Sequence, residues 1–184
     1  MKKKQGFGLL IALLGAVSYP SVTIALKPEP AAIVPSTKHG IPPAGVIQEV
    51  FVYLNQARST ACKCGNKRYP AVAPLVYNET LAAAAQKHAN WMASALKLTH
   101  TEPKRDAATS GERLMQAGYR WSVVAENIAA GQPTAREVVD AWLTSPGHCK
   151  NLMDNAVKEI GIGFAYTDSG KYHYYWATDF ATPR

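Results

Sequence analysis

Apolar positions along this chain recur first with a helical period and then, near its end, with the period of a strand. Val46, Ile47, Val50, Phe51 and Leu54 are spaced for one helix face and predict a first helix that closes at Arg58. Asn78 stands at an N-cap position ahead of ETLAAAAQKHANWMASALKL, where positions 81, 84, 85, 88, 91, 92, 95 and 96 form one stripe that carries His88. A third helix is predicted from Thr109, with Glu112 as its capping-box partner, and stops at Gly118. Thr134 and Glu137 repeat that signature for a fourth helix, which buries Val138, Val139 and Trp142. Ser145-Pro146 opens a short fifth helix, with Ser145 as N-cap and Pro146 in the first helical position.

From residue 159 the period becomes two. Ile160, Ile162, Phe164 and Tyr166 alternate with Glu159, Gly161, Gly163 and Ala165; beyond an Asp168-Ser169-Gly170 turn, Tyr172, Tyr174, Trp176 and Thr178 alternate likewise. This predicts an antiparallel hairpin. The small residues on one face of its first strand leave room for a helix to lie close, so a sheet covered by helices is expected. Residues 59 to 74 hold two cysteines and two prolines and read as a loop.

The beginning of the chain is of another kind. Lys2, Lys3 and Lys4 precede the eleven apolar residues FGLLIALLGAV, a run too short to cross about 30 Å of hydrocarbon but suited to a signal peptide. Thr23 and Ala25 suit cleavage after Ala25, and an uncleaved anchor is the competing reading because Tyr19-Pro20 is an unusual cleavage context. Five prolines between residues 26 and 43 mark an extended linker, so the expected organisation is signal peptide 1–25, linker 26–43 and one folded domain 44–184. The predicted location is secreted or periplasmic, with no later segment able to span a membrane. A composition of 47% hydrophobic and 18% charged residues supports a packed core and excludes general disorder. Loss of the leader lysines lowers the net charge from +7 to +4, and the remaining clusters, Lys67-Arg68 and Lys104-Arg105, are not interleaved with aromatics. No nucleic-acid partner is expected, and a monomer is.

Three cysteines in an exported chain imply one disulfide and one remaining thiol. A bond between Cys62 and Cys64 would be strained, so Cys149 pairs with one of them; Cys64–Cys149 is the favoured pairing, with Cys62 as the alternative. Closing that loop is worth at most about 4 to 5 kcal/mol in the chain-entropy account.

Walker, HExxH, GxSxG and dinucleotide-binding signatures are absent, so chemistry must come from dispersed side chains. Glu126 lies in VVAENIAA, a charge in an apolar strand-like run, and needs a partner or a raised pKa. His148 lies in SPGHCK at the first turn of the fifth helix. His88, on the apolar stripe of the second helix, reads as a satisfied core histidine outside any site, and no role is assigned to His173. Ser145 is explained by capping better than as a nucleophile, and Asn78, though part of a glycosylation sequon, by its N-cap position.

The segments His100-Thr101, AGYRW at 117–121, AENIAAG at 125–131, VVDAWLTSPGHCKNLM at 138–153, EIGIGFAY at 159–166 and YYWATDF at 174–180 occur in an order that resembles the CAP superfamily, also called the SCP domain. That superfamily comprises the cysteine-rich secretory, antigen five and pathogenesis-related proteins, and the likeness is to its bacterial branch over about residues 46 to 181. The resemblance implies an α+β fold, an α-β-α sandwich with a central antiparallel sheet between helical layers, and a cleft lined by His100, Glu126 and His148. Ala125 replaces a usual glycine, and Ser145 lies where many eukaryotic members carry a second glutamate. Two imidazoles and a carboxylate suit zinc or another divalent metal, with His100, Glu126 and His148 as ligands; the plainer alternative is a hydrogen-bonded cluster that shapes the cleft. The function expected is a binding module for a lipid, peptide or cell-envelope ligand, the alternative a divalent-metal-dependent hydrolase, a peptidase.

Overall fold

The computed structural model describes residues 45–103 and 109–184. The expected signal peptide, the linker and Lys104-Arg105 lie outside the described residues. Helix α1 spans Val46–Arg58 and buries Val50 and Leu54. Helix α2 spans Glu79–Ala95, and the Asn78 side-chain oxygen accepts from the backbone N–H groups of Thr80 and Leu81. It ends sooner than its apolar stripe, because Leu96 turns left-handed at φ 55° and leaves its side chain exposed. Helices α3, Ser110–Gln116, and α4, Ala135–Thr144, each open on a complete capping box, Thr109 with Glu112 and Thr134 with Glu137. Helix α5 spans Pro146–Leu152. Ser145 is its N-cap residue in extended conformation and Pro146 stands in the first turn, as expected, but the Ser145 side chain makes no capping bond and the helix start rests on Pro146, its φ already near the helical value.

The central sheet has the order β3-β5-β6-β4, built from β3, Val76–Tyr77, β4, Trp121–Ala130, β5, Glu159–Tyr166, and β6, Tyr174–Pro183. Strands β5 and β6 form the expected hairpin, with Ile162 opposite Thr178, and β4 adds antiparallel to β6 along its length. Only β3 departs from the antiparallel pattern, pairing parallel with β5 through two residues, too few to show a period. The region expected as a loop holds a second small sheet, β1, Cys62–Cys64, with β2, Lys67–Tyr69. Three-residue strands of charged residues and cysteine carry no alternation that sequence reasoning can detect.

The two faces of the central sheet carry different layers. On one, Ile160, Ile162, Trp176 and Phe180 pack with Val50 and Leu54 of α1, Val138 and Trp142 of α4 and Leu152 of α5. On the other, Ala165, Tyr175, Ala177 and Ile128 pack with Ala85, Ala89 and Met92 of α2. Gly161 and Gly163 set that second contact: a Cβ on Gly163 would lie 2.3 Å from the carbonyl carbon of Ala85, and one on Gly161 2.0 Å from the backbone nitrogen of Ala82. The glycines on the helix-facing side of β5 therefore let the α2 backbone rest against the sheet, as the alternation predicts. Arg58, 1% exposed, closes the other layer by donating to the carbonyls of Ala73, Leu152 and Asp154 at 2.9, 2.6 and 3.0 Å. The bonds to Leu152 and Asp154 satisfy carbonyls at and just beyond the end of α5, and burial pulls the guanidinium pKa below its ordinary value.

Candidate functional site

Because β4 is the last strand of the sheet, its outer edge is open to whatever loops and helices pass beside it. Helix α5 is fastened to that edge. The Asn127 amide donates to the carbonyl of His148 at 3.1 Å, and the Asn151 amide donates to the carbonyl of Glu126 at 3.2 Å and to Asn127 Oδ1 at 3.0 Å. Alternation along β4 sends Asn127 toward α5 and Glu126 to the opposite face, toward α3.

The Glu126 carboxylate is 4% exposed and holds partners on both oxygens. Oε1 accepts from His100 Nδ1 at 2.7 Å, and Oε2 pairs with the Arg113 guanidinium from α3. Arg113 also donates to the carbonyl of His100 at 3.2 Å, so one side chain positions both members of the pair. His88, fully buried on α2, brings Nε2 to 3.8 Å from Glu126 Oε2, bonds the carbonyl of Thr99 at 3.0 Å and bonds Glu102 Oε1 through Nδ1 at 2.8 Å. Both ring nitrogens of His88 thus face oxygen atoms. Directly across the β4–β6 ladder from Glu126 is Asp179, fully buried, with neither carboxylate oxygen hydrogen bonded among the described residues. Burial, and then the charge of Glu126, push the Asp179 carboxyl well above the usual range, against the opposing pull of Arg113.

The structure thus joins His100 to Glu126 and supplies the partner that a charge in an apolar strand requires. His148 lies half-buried on α5; burial, followed by electrostatic coupling to His100, lowers its imidazole from the ordinary histidine value. His88 is a satisfied core histidine as expected, but it belongs to the Glu126 network and does not stand outside it. His173 bonds the carbonyl of Thr167 at 2.9 Å, at the hairpin end. Three members were not anticipated. Asp179 carries the signal that singled out Glu126, an acid inside an alternating apolar strand, and was legible in YYWATDF. Glu102 follows His100 by two residues without any pattern of its own. Arg113 looks like an ordinary charge on a short helix, and only the packing of α3 against β4 turns it inward.

The donor set fits a divalent ion in part. A guanidinium against Oε2 and a histidine nitrogen against Oε1 already engage both oxygens of the buried Glu126 carboxylate, which disfavours it as a direct ligand. It fits instead as the carboxylate behind a ligand: a neutral His100 that donates from Nδ1 keeps its Nε2 lone pair for an ion or a ligand, and the ring is 54% exposed. His148, held neutral, offers a second imidazole. Beside the network runs an open groove of about 450 Å³, lined by Trp91, Lys97, Leu98, Thr99, Thr101 and Glu102. Trp91 stacks on His88, with centroids 5.9 Å apart and planes within 5°, so groove and network share a wall. Among the described residues no helix is long and apolar enough to cross a membrane.

Comparison with known proteins agrees with this architecture. The family model described as "Cysteine-rich secretory protein family" matches residues 52–180. An uncharacterised protein of Bacillus subtilis, YkwD, is 34% identical over 97 residues, which are 53% of this chain and 36% of that protein, so the chain spans about a third of its relative's length. The crystal structure of an extracellular protein containing an SCP domain from Bacillus anthracis superposes with a TM-score of 0.60 at 26% identity, over 74% of this chain and 40% of that one. An outer surface protein of Borrelia burgdorferi shares the fold, with a TM-score of 0.65 at 20% identity over 79% of this chain and 98% of that one. With its α-β-α layers, its Cys64–Cys149 disulfide and its ordered motifs, the chain belongs to the cysteine-rich secretory protein family, the CAP superfamily, in its bacterial branch.

Proposed function

We propose that this chain is an exported, monomeric binding module, whose cleft beside His100, Glu126 and His148 takes a lipid, peptide or cell-envelope ligand without turning it over. One observation carries the reading: the Glu126 carboxylate is 4% exposed and each of its oxygens is already held by a protein partner, His100 or Arg113, so it is engaged in structure and disfavoured as a general base. His100 Nε2 and the neutral His148 ring then serve as hydrogen-bonding groups for the polar end of a ligand, and the groove beside Trp91 and Leu98 suits its apolar part. Export by way of a leader at 1–25 and a linker at 26–43 accords with the Cys64–Cys149 bond. Amino-terminal sequencing of the mature protein tests the leader; a first residue other than Leu26 rejects the Ala25 boundary.

The second reading, a divalent-metal-dependent peptidase, draws on the His100–Glu126 pair, since a carboxylate behind an imidazole is the arrangement that orients a metal-ligating histidine. In that reading the metal would polarise a substrate carbonyl, while His100 and His148 hold it. Glu126→Gln separates the two. Calorimetric zinc titration should show affinity falling about 10- to 100-fold in the variant, while ligand retention is unchanged. Peptide, ester and envelope-glycan substrates, each assayed with and without zinc, should all be inert. Zinc-dependent turnover that drops by about 10²- to 10⁴-fold in Glu126→Gln would establish the peptidase reading instead. Circular dichroism must accompany the assay, because the variant leaves Arg113 a buried cation facing a neutral amide.

A further inference from the structure

The third cysteine lies against the disulfide. Cys62 Sγ is 4.0 Å from Cys64 Sγ and 4.0 Å from Cys149 Sγ, and all three sulfurs lie within 4.8 Å of one another. This follows from the strand period: Cys62 and Cys64 are two apart on β1, so both side chains leave the same face, toward α5, while Lys63 between them points to solvent. The β1–β2 turn is seated on the same helix. A side chain at Gly65, where φ is 60°, would meet Pro146 Cβ at 3.2 Å, so hairpin and helix start fit closely without being bonded there.

We infer that the three sulfurs form a thiol–disulfide exchange site, in which Cys62 and Cys64 alternate as the partner of Cys149. The Cys62 thiolate attacks Cys149 Sγ. The Cys62–Cys149 bond forms as the Cys64–Cys149 bond breaks, the electron pair departs on Cys64, and Cys64 takes up a proton in place of the one Cys62 released. Neither oxidant nor reductant is consumed. Cys149 is the sulfur attacked because the other product would join residues two apart on a strand, about 6.7 Å between Cα atoms and at the limit of what a disulfide spans. Cys62 lies beside the bond, equidistant from its two sulfurs, and exchange therefore requires rotation of a cysteine side chain to bring the attacking sulfur in line. Cys62 is partly exposed while Cys149 is fully buried, so the thiol that solvent reaches relays to the bond that solvent does not. Exchange re-anchors α5, the helix that carries His148, on a different residue of the hairpin.

Peptide mapping of the unreduced protein tests this. Wild-type protein is held at a pH near the ordinary thiol value, about 8.5, without reductant, then quenched in acid, and the free thiol is labelled with a maleimide. The expected result is label on both Cys62 and Cys64, with both Cys62–Cys149 and Cys64–Cys149 peptides recovered. Label confined to Cys62 overturns the proposal. In Cys62→Ser the Cys64–Cys149 bond should persist with no label, and in Cys64→Ser the remaining cysteines should pair and leave no free thiol. A Cys64→Ser protein that is folded by circular dichroism yet labels at both Cys62 and Cys149 also overturns it.

Discussion

Asp179 shows at the scale of one residue how register creates chemistry. A carboxyl with no hydrogen-bond partner among the described residues is tolerated inside the sheet because it can carry a proton, and Glu126 across the ladder, paired to Arg113, makes a second negative charge unfavourable. The sign of its effect on stability follows. The folded value is raised, so between the unfolded value near 3.9 and that higher one the folded chain keeps a proton that the unfolded chain has lost. Stability should therefore fall as pH rises through that window, by at most about 1.4 kcal/mol per pH unit, until the folded group ionises too. Asp179→Asn removes this term. Urea unfolding at about pH 5 and pH 8 should show a smaller loss of stability with pH in the variant than in wild type, and equal slopes would show that Asp179 does not hold its proton. The absolute stability of the variant at the lower pH should be little changed, since it replaces a buried protonated acid without hydrogen-bond partners among the described residues by an amide of similar size in the same surroundings.

At the scale of elements, the approach of α2 to β5 is the contact with least tolerance. Gly163→Ala would drive a Cβ into the backbone of Ala85, and a helix backbone cannot rotate out of the way as a side chain can. The expected cost is about 3 kcal/mol or more in urea denaturation, at the upper end of overpacking effects. Gly147→Ala is the matched control: a Cβ there meets nothing within 4 Å, and the residue lies inside α5, so stability should be unchanged or rise by a few tenths of a kcal/mol, about what helix propensity gives. If the two variants are equally stable, the close helix–sheet contact is not what fixes α2. Helices were the elements most legible from sequence, since both capping boxes and the Asn78 cap are local hydrogen-bonding patterns formed within four residues. Ser145, also a small hydroxyl residue, stands at the N-cap of α5 but makes no side-chain capping bond, so residue type at a helix start is permissive and not sufficient.

At the scale of the whole molecule the Cys64–Cys149 disulfide joins residues 85 apart and ties the small hairpin to α5. Cys149→Ser removes every disulfide open to the cluster and should lower stability by up to about 4 to 5 kcal/mol, read as a drop in urea midpoint at unchanged slope. Cys64→Ser should cost less, because Cys62 is placed to take its partner, and reduced protein of both variants should converge. An equal loss in both oxidised variants would mean that Cys62 cannot substitute.

The amino-acid order by itself determined the five helices and the terminal hairpin with its glycine face, because each rests on a local period, a cap or a residue type that means the same in any surroundings; its ordered motifs gave the family, and it narrowed the disulfide to Cys149 with Cys62 or Cys64, a choice the structure makes for Cys64. It also marked Glu126 as an acid in need of a partner. The identity of that partner lay beyond it. Arg113, His88, Glu102 and Asp179 come from α3, α2, the segment after α2 and β6, and only the stacking of those layers around β4 brings their charges within a few ångströms. Tertiary structure alone also set Cys62 against a bond it does not share, and engaged with protein partners the Glu126 carboxylate that the family resemblance had offered as a metal ligand. The physical reason is one of range: helix and strand periods are written over a few residues, whereas the electrostatics of a buried carboxylate depend on every charge near it in space, however far apart in the chain.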